Sequence, residues 1–220
     1  MDLHHSFGQN TAGMSFSDIL WTGEHWNHLK HTGAPDGYIS GELPLDMFRA
    51  EFMGLPIGVP TEMLAYRLLG GGPSPVGGMK KVSAISLLHD VPVRPRTQDK
   101  EWFGFMSQLW KMRDQFQAHE AQKLYYWENQ DYVRVRPQHC YVTLLQHKDN
   151  GVLAFISNLS RDKQRVTVEF DLDRLRLQER SLDVFDILTN NPVKMSAEGK
   201  LSVDLNSENW IYVWLRPNGF

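Results

Sequence analysis

The chain has 220 residues, 23 Lys and Arg against 26 Asp and Glu, and 41% apolar residues, which is the make-up of an ordinary globular protein and excludes disordered, collagenous or fibrous classes. A net charge of −3 without any block of like charge leaves no basic field for a phosphate backbone, so nucleic acid is not an expected partner. The single cysteine, Cys140, excludes an internal disulfide and a thiolate zinc cluster. No run approaches the roughly 18 apolar residues of a membrane helix, and a start with Asp2 and two histidines does not read as a signal peptide, so no membrane is expected and the compartment stays open.

Taken in order, residues 1 to 120 alternate short apolar runs with helical periodicity, a β/α pattern. A first strand runs into His4, His5 and Ser6, and a second, within 17 to 24, ends at Glu24 and His25. A helix is expected at about 44 to 53, stopped by Gly54 and Pro56. Another is expected at about 60 to 69, where Pro60 suits a first turn and Gly70 a C-cap. The glycine-rich stretch 70 to 81 reads as a flexible connection. It follows a helix and lacks Lys-Ser or Lys-Thr after its last glycine, so it is no phosphate loop. The apolar run 82 to 89, closed by Asp90 and Pro92, reads as a parallel strand buried on both faces. The strongest helix spans about 98 to 117, where Trp102, Phe105, Met106, Leu109, Met112 and Phe116 recur at three and four residues.

The texture changes near residue 125. From 141 onward apolar residues alternate in short runs, 141 to 147, 152 to 158, 164 to 170, 181 to 187, 200 to 205 and 210 to 215, separated by turn formers such as Asp149-Asn150-Gly151 and Asn190-Asn191-Pro192. Period two at this spacing predicts an antiparallel β-sandwich of about seven strands. The expected organisation is therefore α/β followed by all-β, with the boundary between 125 and 126.

Ligands collect at the carboxyl ends of parallel strands, where loops vary while the sheet stays rigid. Three such ends carry titratable groups: His4 with His5, Glu24 with His25, and His89 with Asp90. Each alone can be a cap, a turn or a core hydrogen bond; their common topological position favours a site. Trp21 and Trp26 flank Glu24, and flat rings beside a carboxylate suit a sugar, whose apolar face stacks while its hydroxyls bond to charged groups; core packing is the competing reading. His25, His28 and His31 are spaced three apart, not four with an intervening glutamate as in zinc proteases, so no metal is assigned, and no other cofactor is implied. Ser6 and Ser86 lack the Gly-x-Ser-x-Gly elbow, and Cys140 falls on a sandwich strand away from the histidines, leaving nucleophilic catalysis without support.

The runs 3 to 26, 38 to 68 and 83 to 95 resemble the last part of the catalytic barrel in bacterial glycoside hydrolase-like proteins of the group related to glycoside hydrolase family 123, the β-N-acetylgalactosaminidase-like enzymes. The runs 168 to 177, 181 to 193 and 208 to 217 are similar to the β-sandwich that follows such barrels. A complete (β/α)8 barrel needs about 250 residues, so the resemblance implies that 1 to 125 hold only its late strands and helices, an incomplete barrel, and 126 to 220 the sandwich. It also implies a substrate-assisted retaining hydrolysis of an O-glycosidic bond, in which one carboxyl protonates the leaving oxygen and its neighbour orients the sugar's acetamido group. The adjacent Asp-Glu pair of that mechanism has no match in this sequence, which places the main carboxylates upstream of Met1 and makes the isolated chain an expected non-catalyst. Supporting contacts to the carbohydrate would come from His5, Trp21, Glu24, His25, Trp26, His89 and Asp90. The open barrel would pair with its missing portion or self-associate. The alternative, from a different class, is a non-catalytic interaction or glycan-binding module.

Overall fold

The computed structural model describes residues 2–4, 14–23, 43–54, 59–64, 76–94, 100–178 and 181–218. Its backbone divides into two units, Met1–Phe103 and Gly104–Phe220, a division that falls inside the long helix, earlier than the change of texture near residue 125.

In the first unit β1 (Asp2–His4), β2 (Ile19–Thr22) and β3 (Thr61–Met63) form a parallel sheet in the order β1-β2-β3. Val93 bridges to Met63, also in parallel, with Met63 N–H donating to the Pro92 carbonyl and Arg94 N–H to that of Met63. Four successive chain segments thus lie side by side in sequence order. Parallel neighbours need crossovers. Between β2 and β3 runs α1 (Leu45–Arg49), continued by a π-helical turn at Ala50–Gly54; between β3 and Val93 runs α2 (Val76–Ser86), closed by a 3-10 turn at Leu87–His89. Register puts Leu20, Thr22, Thr61, Met63 and Val93 in the buried layer. The two threonines there are satisfied: Thr22 donates to Glu51 and Thr61 to the Phe52 carbonyl.

Two expectations are corrected in this unit. Residues 61–63 are a strand, not a helix: Leu20 N–H donates to the Pro60 carbonyl and the ladder with β2 follows directly. Residues 82–89 are helical, not a strand, and the helix starts at Val76, inside the stretch read as a flexible connection. Every residue from Val82 to His89 is buried. A run hidden on all sides carries no period, so periodicity cannot separate helix from strand. The polar members choose the helix. Ser83 Oγ donates to the Met79 carbonyl at 2.8 Å and His89 Nδ1 meets the Ile85 carbonyl at 2.8 Å, each one turn back.

In the second unit the expected helix is α3 (Lys100–Phe116), with Met106, Leu109 and Phe116 fully buried. The six alternating runs all appear as strands, preceded by two short ones: β4 (Gln122–Leu124), β5 (Val133–Arg136), β6 (Cys140–His147), β7 (Gly151–Asn158), β8 (Gln164–Phe170), β9 (Leu182–Asp186), β10 (Lys200–Leu205) and β11 (Asn209–Pro217). They form antiparallel sheets in the orders β10-β8-β5 and β4-β6-β7-β11-β9. Val142, Leu144, Ala154, Ile156 and Val213 of the larger sheet share one core with Val166, Val168 and Leu201 of the smaller, a sandwich-like packing. The middle of the larger sheet's other face is covered as well. Phe105 lies against Trp210 and Phe116 edge-on to Trp214, while Arg113 donates to the Tyr212 hydroxyl. This cover explains why β7 is buried at all eight positions.

Asn158 closes the end of β7. Its amide nitrogen donates to the carbonyls of Asp162, Leu205 and Asn206, and its oxygen accepts from the Ser160 amide and hydroxyl, tying the turn that follows β7 to the distant end of β10. Among the described residues no helix is long and apolar enough to cross a membrane.

Candidate functional site

The polar side of the parallel sheet carries the first unit's most organised charged cluster. Trp21 on β2 pairs in register with Glu62 on β3, and side chains of parallel partners share a face. Glu62 and Arg94 flank the Met63–Val93 bridge, one residue before and one after, which puts Arg94 on that same face. The Arg94 guanidinium donates to Glu62 Oε2 at 2.7 Å and lies 3.2 Å from the centre of the Trp21 ring. A charge-assisted bond and a cation–π contact fix one guanidinium from two sides, an arrangement more rigid than either contact alone. The side chains are partly sheltered, Arg94 29% and Glu62 14% exposed, so the pair sits at the margin of solvent where a ligand can reach it. Arg94 covers one face of Trp21. The wall offered there is guanidinium and carboxylate, suited to hydroxyl groups, and not a bare indole.

Of the residues singled out from the sequence, Trp21 stands in this cluster. His5, Glu24, His25 and Trp26 lie outside the described residues; Gly23, the last described residue before Glu24, follows β2 directly with φ +105. His89 and Asp90 end a helix and not a strand, and the reason for each residue is local. His89 is 1% exposed, tilted against Phe48 at 4.6 Å between ring centres. Burial pulls its pKa down to about 4, which keeps the ring neutral. Asp90 adopts φ +58 while its N–H donates to the Leu87 carbonyl and the next N–H, that of Val91, reaches Ser86, the paired bonds of a Schellman stop. Both residues thus have the capping and core roles that competed with the site reading. Cys140 is buried 3.8 Å from Asn158 Oδ1, and burial pushes its thiol up to about 11, which removes the thiolate that nucleophilic chemistry needs.

Glu62 and Arg94 were missed because 60 to 69 read as a helix, on which position 62 has no defined partner. The available signal was the alternation Thr61-Glu62-Met63 and Pro92-Val93-Arg94, one polar residue between or beside buried ones. Among the described residues no group of three or more His, Cys, Asp or Glu side chains is placed to hold a metal.

With this geometry established, comparison with known proteins shows what the second unit is similar to. Residues 106–198 match the family model of the glycoside hydrolase 123 C-terminal domain. The C-terminal part of the chain is therefore related to glycoside hydrolases, and the match runs from within α3 to the turn before β10. Among solved structures, a maltogenic α-amylase from Thermotoga neapolitana superposes with a TM-score of 0.53 at 12% identity, over 91% of this chain and 52% of that one. A family 27 β-L-arabinopyranosidase from Geobacillus stearothermophilus gives 0.53 at 15% identity, over 93% and 46%. At such identities the likeness is one of fold, and the chain spans about half the length of these structures. No curated protein matches the chain.

Proposed function

We propose that the chain is the C-terminal part of a glycosidase, in which residues 1–125 supply late strands and helices of a (β/α)8 barrel and 126–220 the β-sandwich behind it. The observation that carries this is the Trp21–Glu62–Arg94 face, built on successive parallel strands in sequence order and followed by a unit matching a glycoside hydrolase C-terminal domain. Inward faces of barrel strands near their carboxyl ends are where such enzymes gather substrate contacts.

On this reading the chain contributes sugar contacts to O-glycosidic hydrolysis while the principal carboxylates lie outside it. Glu62 and Arg94 would hold ring hydroxyls, with Glu24, His25 and Trp26, which follow β2 in sequence, and His5, which follows β1, completing the wall. His89 and Asp90 serve by fixing the entry into the Val93 segment. Among the described residues β1 is an edge of the parallel sheet, and the missing barrel portion or a second chain would add there.

The test is kinetic, on the full-length polypeptide with an aryl glycoside. Glu62→Gln should lower kcat/KM about tenfold or more while circular dichroism and melting stay close to the parent, because the amide oxygen still accepts from Arg94 while the charge offered to the sugar is lost. Unchanged kinetics in both Glu62→Gln and Arg94→Lys, or full activity from the 220-residue chain alone, would overturn the assignment.

A further inference from the structure

The second unit holds a separate polar cavity of about 420 Å3, within the size range of small-molecule sites. It lies at the end of β6, bordered by Glu120 after α3 and by the loop 174–177 after β8. That loop is tied down: Leu177 N–H donates to the Leu172 carbonyl, and Gln146 Nε2 donates to that of Leu175. The walls are therefore preformed.

The decisive residue is His147. Its side chain is 2% exposed, and its Nδ1 accepts the backbone N–H groups of Asp149 and Asn150 at 3.2 and 3.1 Å. An Nδ1 that accepts two bonds places the ring proton on Nε2. Nε2 is buried and without a hydrogen-bond partner; it faces Glu120 Oε2 across 3.8 Å, too far for a bond. A buried donor opposite a carboxylate is complementary to one hydroxyl, which accepts from Nε2–H and donates to Glu120.

Three cationic residues, Lys148, Arg174 and Arg176, line the same cavity. Arg174 pairs with Asp131 and Asp171, and Lys148 approaches Asp149, but Arg176 has no ion pair among the described residues. Arg176 is also held at φ +59, a conformation costly for a side chain of its shape. Tyr132 belongs to the same lining. Hydroxyl-matching groups together with an arginine that has no ion pair among the described residues describe a ligand that is polyhydroxylated and anionic.

We propose that this cavity is an ancillary carbohydrate site that takes a sugar residue bearing a carboxylate, with a ring hydroxyl between His147 and Glu120 and the carboxylate at Arg176. The inference uses only residues of the second unit, so its failure leaves the reading of the parallel sheet untouched.

The test is a titration of the full 220-residue chain, 15N-labelled, with sodium glucuronate, following the ring nitrogens of His147 by NMR at fixed pH. Glucose and sodium chloride serve as controls. The expected result is a saturable glucuronate-dependent shift of Nε2 with Nδ1 little changed, weakened about tenfold by Arg176→Gly, a substitution that φ +59 favours and that therefore leaves the fold intact. Glu120→Gln should weaken it as well. Absence of a saturable shift, or an equal shift with sodium chloride, overturns the site and leaves a water between His147 and Glu120. Equal binding of glucose and glucuronate, or an affinity unchanged in Arg176→Gly, overturns the acidic specificity.

Discussion

The two units obey different rules of sheet construction. In the second, each strand meets partners along an antiparallel ladder, and pairs such as β6–β7 are joined by a tight turn, so register is set within a dozen residues of the turn itself. In the first, the Leu20–Thr61 and Met63–Val93 pairings bring together segments separated by a helix. The antiparallel unit takes its order from local chain reversal; the parallel unit takes it from what its crossovers bury. The lesson concerns the polar groups. Asn158 in the second unit organises a turn, whereas the Trp21–Glu62–Arg94 set in the first exists only once three distant segments are aligned.

The sharpest way to break this comparison is to remove the cover of the larger sheet. Phe116 is fully buried, edge-on to Trp214 and His147, and Phe116→Ala should cost about 3–5 kcal/mol. Urea unfolding followed by tryptophan fluorescence should show the midpoint fall with little change in slope; a loss below about 1 kcal/mol would mean that α3 is not integral to the sandwich.

Acid should strike the other unit. With the pKa of His89 lowered to about 4 against an ordinary 6.5, the unfolded chain binds the proton first between these values. The stabilisation is complete above about pH 6.5 and is lost as the pH falls towards 4, by about 3 kcal/mol in all. Hydrogen exchange at pH 4.5 should report loosening of α2 and the 3-10 turn ahead of the β6–β7–β11 ladders, and His89→Asn should flatten that pH dependence. Equal loosening of both units would contradict it.

Turn chemistry is tested at Gly151, where φ is +83 and an added Cβ would collide with the Leu215 carbonyl and come within 2.6 Å of Pro217 Cδ. Gly151→Ala should destabilise by about 1–3 kcal/mol, from strain as well as overlap; an unchanged melting temperature would show that the hairpin does not depend on this position. The smallest effect is expected on the exposed face. Lys200 and Glu169 are cross-strand partners with Nζ–Oε1 at 3.1 Å and about half exposed, so Lys200→Ala should move stability by no more than about 0.2–1 kcal/mol and less in high salt. A larger, salt-insensitive change would reveal a structural role hidden in the surface ladder.

Much of the second unit was legible because its alternation is forced by a face that must be buried at every second residue. Val166, Val168 and Phe170 are buried while Gln164, Arg165, Thr167 and Glu169 are not, the pattern read directly along β8. Even there β7 departed from half-burial, since the cover from α3 is a fact of packing that the strand does not encode. In the first unit legibility failed where both faces are enclosed. Ser83 and His89 satisfy themselves within their own helix, but nothing in the letters 82 to 89 distinguishes that solution from a buried strand. The candidate site was legible only at Trp21, because Glu62 and Arg94 acquire meaning from register across two crossovers.

The sequence by itself determined the class of the second unit, the positions of its six later strands, the helix ahead of it and the likeness of the chain's end to a glycosidase sandwich, because period, turn formers and helix face are properties of neighbouring residues. Only the tertiary structure decided that 61–63 is a strand, that 76–89 is helical, that His89 belongs to the core, and that Trp21, Glu62 and Arg94 meet. Those outcomes depend on which distant segment supplies the missing hydrogen-bond partner or buries the second face, and that choice is made by long-range pairing after local preferences have been spent.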